Sequence, residues 1–176
     1  MAEQTMERFE HRPMQENSSI RLLKLLPGCD GKNLKCQIFE IQNASEVSFE
    51  ALSYTWGDPE TQEIIHVCAP ADIDRTLGYI SITQNLFKAL LRLRSEHTPQ
   101  TIWIDMLCIN QHDFQEKAHQ VARMGQVYCE ADRVIVWLGE DQFYPRTRAL
   151  LTQDGRDRWP LTLPEVDLGE LVTIPW

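Results

Sequence analysis

The sequence predicts an α/β fold in which helices cover a parallel sheet. Two observations carry that expectation. Between residues 49 and 138 strand-like segments alternate with helix-like ones, in the order strand 49–56, helix 83–95, strand 101–105, helix 114–129, strand 133–138. Such alternation implies crossover connections, which set successive strands parallel and lay their helices over the sheet. The last strand, within "DRVIVWLGE", is a continuous apolar run of the kind that parallel sheets bury on both faces.

Each element has a local cause. Residues 1–18 are polar and mixed in charge and read as a flexible leader; residues 19–176 read as a single domain with its core at 49–139. "SIRLLKLLPGCDGKN" closes on Pro-Gly and Asp-Gly turn signals, and "LKCQIFEI" follows with Cys36, Ile38 and Glu40 alternating. This pair reads as an N-terminal β-hairpin. Phe49–Trp56 forms the next strand, broken by Gly57, Asp58 and Pro59. "EIIHV" and "GYISI" are two short strands separated by a loop rich in Asp and Pro. From Thr83 the period changes: Leu86, Phe87, Leu90, Leu91 and Leu93 fall at helical spacing behind a Thr N-cap. "TIWID" returns to β-branched and aromatic residues. Asp113 then stands three residues before Glu116, a spacing that caps a helix reciprocally. The apolar stripe of that helix runs Phe114, Ala118, Val121, Met124 or Gly125, and Tyr128. Past Gly139 only Arg146–Leu151 shows helical spacing.

Bulk properties exclude several functions. The chain has 176 residues, enough for one domain with a sizeable core. It carries 26 acidic against 17 basic residues, a formal charge of −9, which argues against general binding to nucleic acid or anionic membranes. No apolar run reaches the roughly 18–20 residues that span a bilayer, and the N-terminus lacks the apolar core of a secretory signal. Five scattered cysteines, Cys29, Cys36, Cys68, Cys108 and Cys129, form no CxxC pair, so the thiols read as reduced and the protein as cytoplasmic. No set of His and Cys completes four zinc ligands, and no metal is expected.

Parallel strands deliver everything that follows them to one edge of the sheet, the carboxyl edge, where open α/β sheets form ligand crevices. Three junctions should meet there. One contributes Tyr54, Trp56, Gly57 and Asp58; the second Asp105, Cys108, Asn110 and Gln111; the third Gly139, Glu140 and Asp141. Glycine permits a tight turn or close approach to a ligand, and Asn110 and Gln111 offer both donors and acceptors. Asp105 suits two roles equally, bridging the strand end to a neighbouring loop or holding a ligand hydroxyl. Asp113 and Glu116 occupy the positive end of their helix and compete there with any anionic ligand. Tyr54 and Trp56 also fit an aromatic core face, Cys108 a small buried residue, and Glu116 a capping residue before a general base. No catalytic residue is assigned.

The blocks "ALSYTWGD" (51–58), "IWIDMLCINQ" (102–111), "EKAHQVARMGQVY" (116–128) and "ADRVIVWLG" (131–139), with "IRLLKLLPG" and "ITQNLFKALLRLR" flanking them, resemble in order the successive blocks of the fungal heterokaryon incompatibility (HET) domain. The resemblance covers roughly residues 20–139. It implies a fungal intracellular domain that triggers programmed cell death when genetically different hyphae fuse, acting by self-association or by binding protein partners. The HET family is distantly similar to TIR domains, flavodoxin-like modules with helices on both faces of the sheet, some of which cleave NAD with a glutamate. By that likeness NAD is a candidate substrate and no resident cofactor is implied. The glutamate belongs to a later block resembling R-x-W-x-x-Q-E, to which "LVTIPW" reads as the lead-in. The C-terminal part of the domain is therefore expected to be missing, and NAD cleavage with it; Glu116 and Glu140 match neither position. A third reading, a cysteine-dependent hydrolase, would need Cys108 activated by His112.

Overall fold

The computed structural model describes residues 6–16, 18–29, 33–137 and 139. Seven strands form one sheet: β1 (Ile20–Leu25), β2 (Lys35–Ile41), β3 (Glu50–Tyr54), β4 (Gln62–Ala69), β5 (Asp72–Thr83), β6 (Gln100–Trp103) and β7 (Arg133–Trp137). Three helices accompany them: α1 (Gln84–Leu93), the single turn α2 (Asp105–Cys108) and α3 (Phe114–Glu130). The spatial order is β5-β4-β2-β1-β6-β3-β7.

The architecture is α/β, but the sheet is mixed rather than parallel. β6, β3 and β7 run in one direction, with Ala51 opposite both Trp103 and Val134. β1 runs against both of its neighbours, pairing with β2 from Ile20↔Ile41 to Leu25↔Cys36 and with β6 at Leu23↔Ile102. The expected hairpin therefore forms, and one of its strands is inserted at the centre of the sheet. That position explains "IRLLKL": five of its six residues are buried, as a strand covered on both faces requires.

β4 and β5 also pair antiparallel, because only Pro70 and Ala71 separate them, too few residues for a crossover. The stretch expected to be a loop between "EIIHV" and "GYISI" is thus largely strand. Its polar residues, Asp72 to Thr76, stay exposed, which an antiparallel ladder tolerates.

Two further expectations are corrected. β7 is an edge strand among those described, and its burial alternates: Ile135 is buried while Val134 and Val136 are each 43% exposed. Successive side chains point to opposite faces, so the face that carries Val134 and Val136 is exposed while Ile135 packs inward. In α3 the expected apolar stripe divides. Met124 and Tyr128 pack against the core, but Phe114 is 85% and Val121 49% exposed. The inward face of that helix is instead polar at its start, with Gln120 buried and Glu116 reaching beneath it.

α1 follows its expected pattern, with the Thr83 hydroxyl accepting from Leu86 N–H and Leu86, Ala89 and Leu90 buried. The core gathers Leu22, Leu23, Phe49, Leu52, Ile102 and Trp103 with these residues. Within the stretch read as a flexible leader, Phe9 N–H donates to Tyr79 and Tyr79 N–H to Glu7, so residues 7–9 lie along β5. Gly78 makes this close approach possible: a Cβ there would stand 2.8 Å from the Glu7 carbonyl.

Candidate functional site

The parallel register of β3 and β6 brings their carboxyl ends side by side. Trp56 Nε1 donates to Asp105 Oδ2 over 3.1 Å, and Met106 N–H donates to Oδ1 over 2.7 Å. Trp56 is 44% exposed, so one end of its indole is held while much of the ring faces solvent. Burial pushes the Asp105 carboxyl above its ordinary range, against the Trp56 and Met106 hydrogen bonds and the Lys117 ammonium, which favour the charge. Tyr54 lies in the same corner. Its ionisation is pushed far up, first by burial and then by Asp105, although no hydrogen bond of normal geometry joins its hydroxyl to a partner. Gln111 Nε2 donates to the Asp105 carbonyl at 3.0 Å, while its buried Oε1 has no partner. Tyr54, Trp56, Asp105 and Gln111 thus form one rim.

Asp58, Asn110 and Cys108 make their described hydrogen bonds with other partners. Asp58 holds its own turn, with Oδ1 accepting from Glu60 N–H at 2.9 Å. Gly57 adopts φ +77°, a conformation that glycine takes without strain. Asn110 is used locally: its Oδ1 accepts from His112 N–H and its own N–H donates to Glu116 Oε1 at 2.7 Å. Cys108 is 1% exposed, and burial pushes its thiol up to about 12. None of the described contacts joins it to His112, so it lacks both thiolate character and a base. Glu140 lies outside the described residues.

The capping arrangement is half of what the spacing predicts. Asp113 accepts from Gln115 and Glu116 N–H, both at 3.0 Å, as an N-cap. Glu116 does not return the contact. Its carboxylate meets Arg21 in a bidentate ion pair of 2.5 and 2.9 Å, nearly buried on both sides. Burial alone would push Glu116 up; the Arg21 hydrogen bonds and Asn110 N–H outweigh it and set its carboxyl below the usual range. Arg21 also donates to the Cys108 and Arg12 carbonyls, tying the α2–α3 loop to β1 and to the N-terminal segment.

Three residues of this region escaped the sequence reading. Asn85 Nδ2 donates to the Thr55 carbonyl at 2.6 Å while its Oδ1 accepts from Trp137 Nε1 at 2.9 Å, clasping the ends of β3 and β7. Its one sequence signal is a polar residue in the first turn of α1. Arg21, a cation inside an otherwise largely apolar strand, signals a buried partner. His11 gives no signal in its polar surroundings, yet it is half-buried, its enclosed Nδ1 has no hydrogen-bond partner, and burial followed by the Arg21 charge lowers it to about 4.

The rim offers a solvent-facing indole beside a carboxylate that is costly to ionise, a combination suited to holding a polar ligand with a flat face. Among the described residues no three His, Cys, Asp or Glu could hold a metal ion, and no helix is long and apolar enough to cross a membrane.

A family model described as heterokaryon incompatibility protein (HET) matches residues 49–160. Heterokaryon incompatibility protein 6, OR allele, of Neurospora crassa is 37% identical over 129 residues, which are 70% of this chain and 19% of that protein. The chain therefore spans about a fifth of the curated relative it matches. No solved structure matches.

Proposed function

The chain belongs to the heterokaryon incompatibility (HET) family, and from that premise we propose that it is a signalling domain of fungal nonself recognition, driving programmed cell death through self-association or partner contacts. The carrying observation is that the matched segment contains the parallel strands β3, β6 and β7, and that the ends of β3 and β6 build the Trp56–Asp105 rim. A flavodoxin/TIR-like arrangement, with helices on both faces of the sheet, is the architecture this reading takes.

Induced expression of the whole chain in fungal hyphae tests it. Growth arrest is expected with the natural sequence, and its loss with Trp56→Ala or Asp105→Ala at equal protein level. Normal growth despite abundant wild-type protein would sink the reading.

One observation favours a second reading, a TIR-like nucleotide site at the same rim: the half-exposed indole beside a carboxylate matches the flat base and hydroxyls of NAD. NAD is then a ligand stacked on Trp56, and quenching of tryptophan fluorescence by NAD should vanish in Trp56→Phe. Free nicotinamide is not expected, since no described acid occupies the glutamate position; its release would overturn that part.

A further inference from the structure

α3 is turned inside out. Its domain-facing side carries Glu116 on Arg21, Gln120 donating to the Ser19 carbonyl at 3.0 Å, and Arg123 donating to the Ser18 and Ser19 carbonyls, with Val127 buried after them. These contacts fix the rotation of the helix and leave Phe114, Ala118, Val121 and Gly125 exposed. Their spacing of four, three and four residues is that of a coiled-coil seam.

We propose that α3 pairs antiparallel with α3 of a second copy through the seam Phe114, Ala118, Val121 and Gly125. This rests on the reading that the domain acts by self-association, and it names the surface. The seam is self-complementary about a two-fold axis between His119 and Gln120. That axis sets Phe114 of one copy opposite Gly125 of the other, and Ala118 opposite Val121, a large residue against a small one each time. Gly125 has room for the ring: a Cβ there would meet nothing within 4 Å. Charge permits the approach as well. In a chain of net charge −9 the seam is uncharged, and its neighbour Lys117 faces Ala122 across the same axis rather than its own copy. Isologous pairing of this kind closes at a dimer. Three side chains and a glycine cover far less than the roughly 800 Å² per partner of a standard interface, so the pairing is weak and concentration-dependent. Lys117 acts on Asp105 electrostatically, which places the paired helices beside the rim.

Sedimentation equilibrium of the purified chain, over its full soluble concentration range, tests the pairing. A monomer–dimer equilibrium is expected, weakened about tenfold or more by Val121→Asp, because a charge in the seam loses its water. Ala118→Lys should weaken it too, and Ala118→Lys with Val121→Glu should restore it by pairing opposite charges across the axis. A wild-type chain monomeric at every concentration overturns the proposal. So does a dimer indifferent to Val121→Asp, or a double variant no better than the single ones. Unchanged circular dichroism and melting of the variants confirm folding; a marked loss of melting temperature in Val121→Asp would assign the seam to an intramolecular contact and likewise overturn the pairing. The measurement needs no hyphae, so it fails or succeeds separately from the cell-death reading.

Discussion

Trp56 and Asp105 lie 49 residues apart in the chain and meet through one hydrogen bond of 3.1 Å, from the indole of one strand's end to the carboxylate of the next. The bond keeps the indole at the rim without burying it.

The carboxylate makes the rim pH-sensitive. Asp105 has its folded pKa raised above the ordinary 3.8, chiefly by burial. The folded protein therefore keeps that proton longer than the unfolded chain. The group's stabilising share is complete below the unfolded value and is lost as pH rises through the folded one. Asp105→Asn, neutral throughout, escapes this loss. Its melting temperature relative to wild type should climb from acid to neutral pH, and a flat difference would remove the claim.

Glu116 behaves in the opposite sense. Its folded pKa lies below the ordinary 4.5, so its contribution is present above that value and fades as pH falls through the folded one. Glu116→Ala strands the Arg21 guanidinium, which is 4% exposed, and should cost about 3–5 kcal/mol in urea unfolding. Arg21→Met with Glu116→Leu should recover most of that loss, since an apolar pair of similar volume removes both charges together.

Cys108 should be chemically silent. With its thiol buried and pushed up to about 12, it should resist iodoacetamide in the native protein while the exposed Cys29 and Cys129 react. Peptide mass spectrometry distinguishes these sites. Fast labelling of Cys108 would revive the hydrolase reading.

Asn85→Ala should remove the clasp between Thr55 and Trp137 and cost about 1–3 kcal/mol, because it leaves the Trp137 N–H without its acceptor. Gly57→Ala should cost a further ~1–2 kcal/mol, since alanine is strained at φ +77° and its Cβ would sit 3.0 Å from that of Asn85. Urea unfolding measures both.

Periodicity and caps made most elements legible: α1 behind Thr83, α3 behind Asp113, and three parallel strands whose ends converge. What the sequence hid has a common cause, the dependence of burial on neighbours. Nothing in "VIVW" says which face of β7 is exposed, and nothing in "IRLLKL" says that β1 sits between β2 and β6. The stripe on α3 misled for the same reason. Its rotation is fixed by Arg21 and Ser19, nearly a hundred residues upstream, so polar anchors override the apolar period. At the site, the strand-end motifs bring Trp56 and Asp105 into contact, whereas Asn110 and Asp58 bond within their own turns.

The placement of β1 bears on where this domain begins. The family match starts at residue 49, but residues 20–41 supply two interior strands. A fragment cut at the start of the match would strip β6 and β4 of neighbours and leave two open ladders of backbone amides and carbonyls, a template for aggregation. A unit that keeps both ladders paired includes residues 20–41, the first hairpin serving as the keystone between two otherwise separate ribbons.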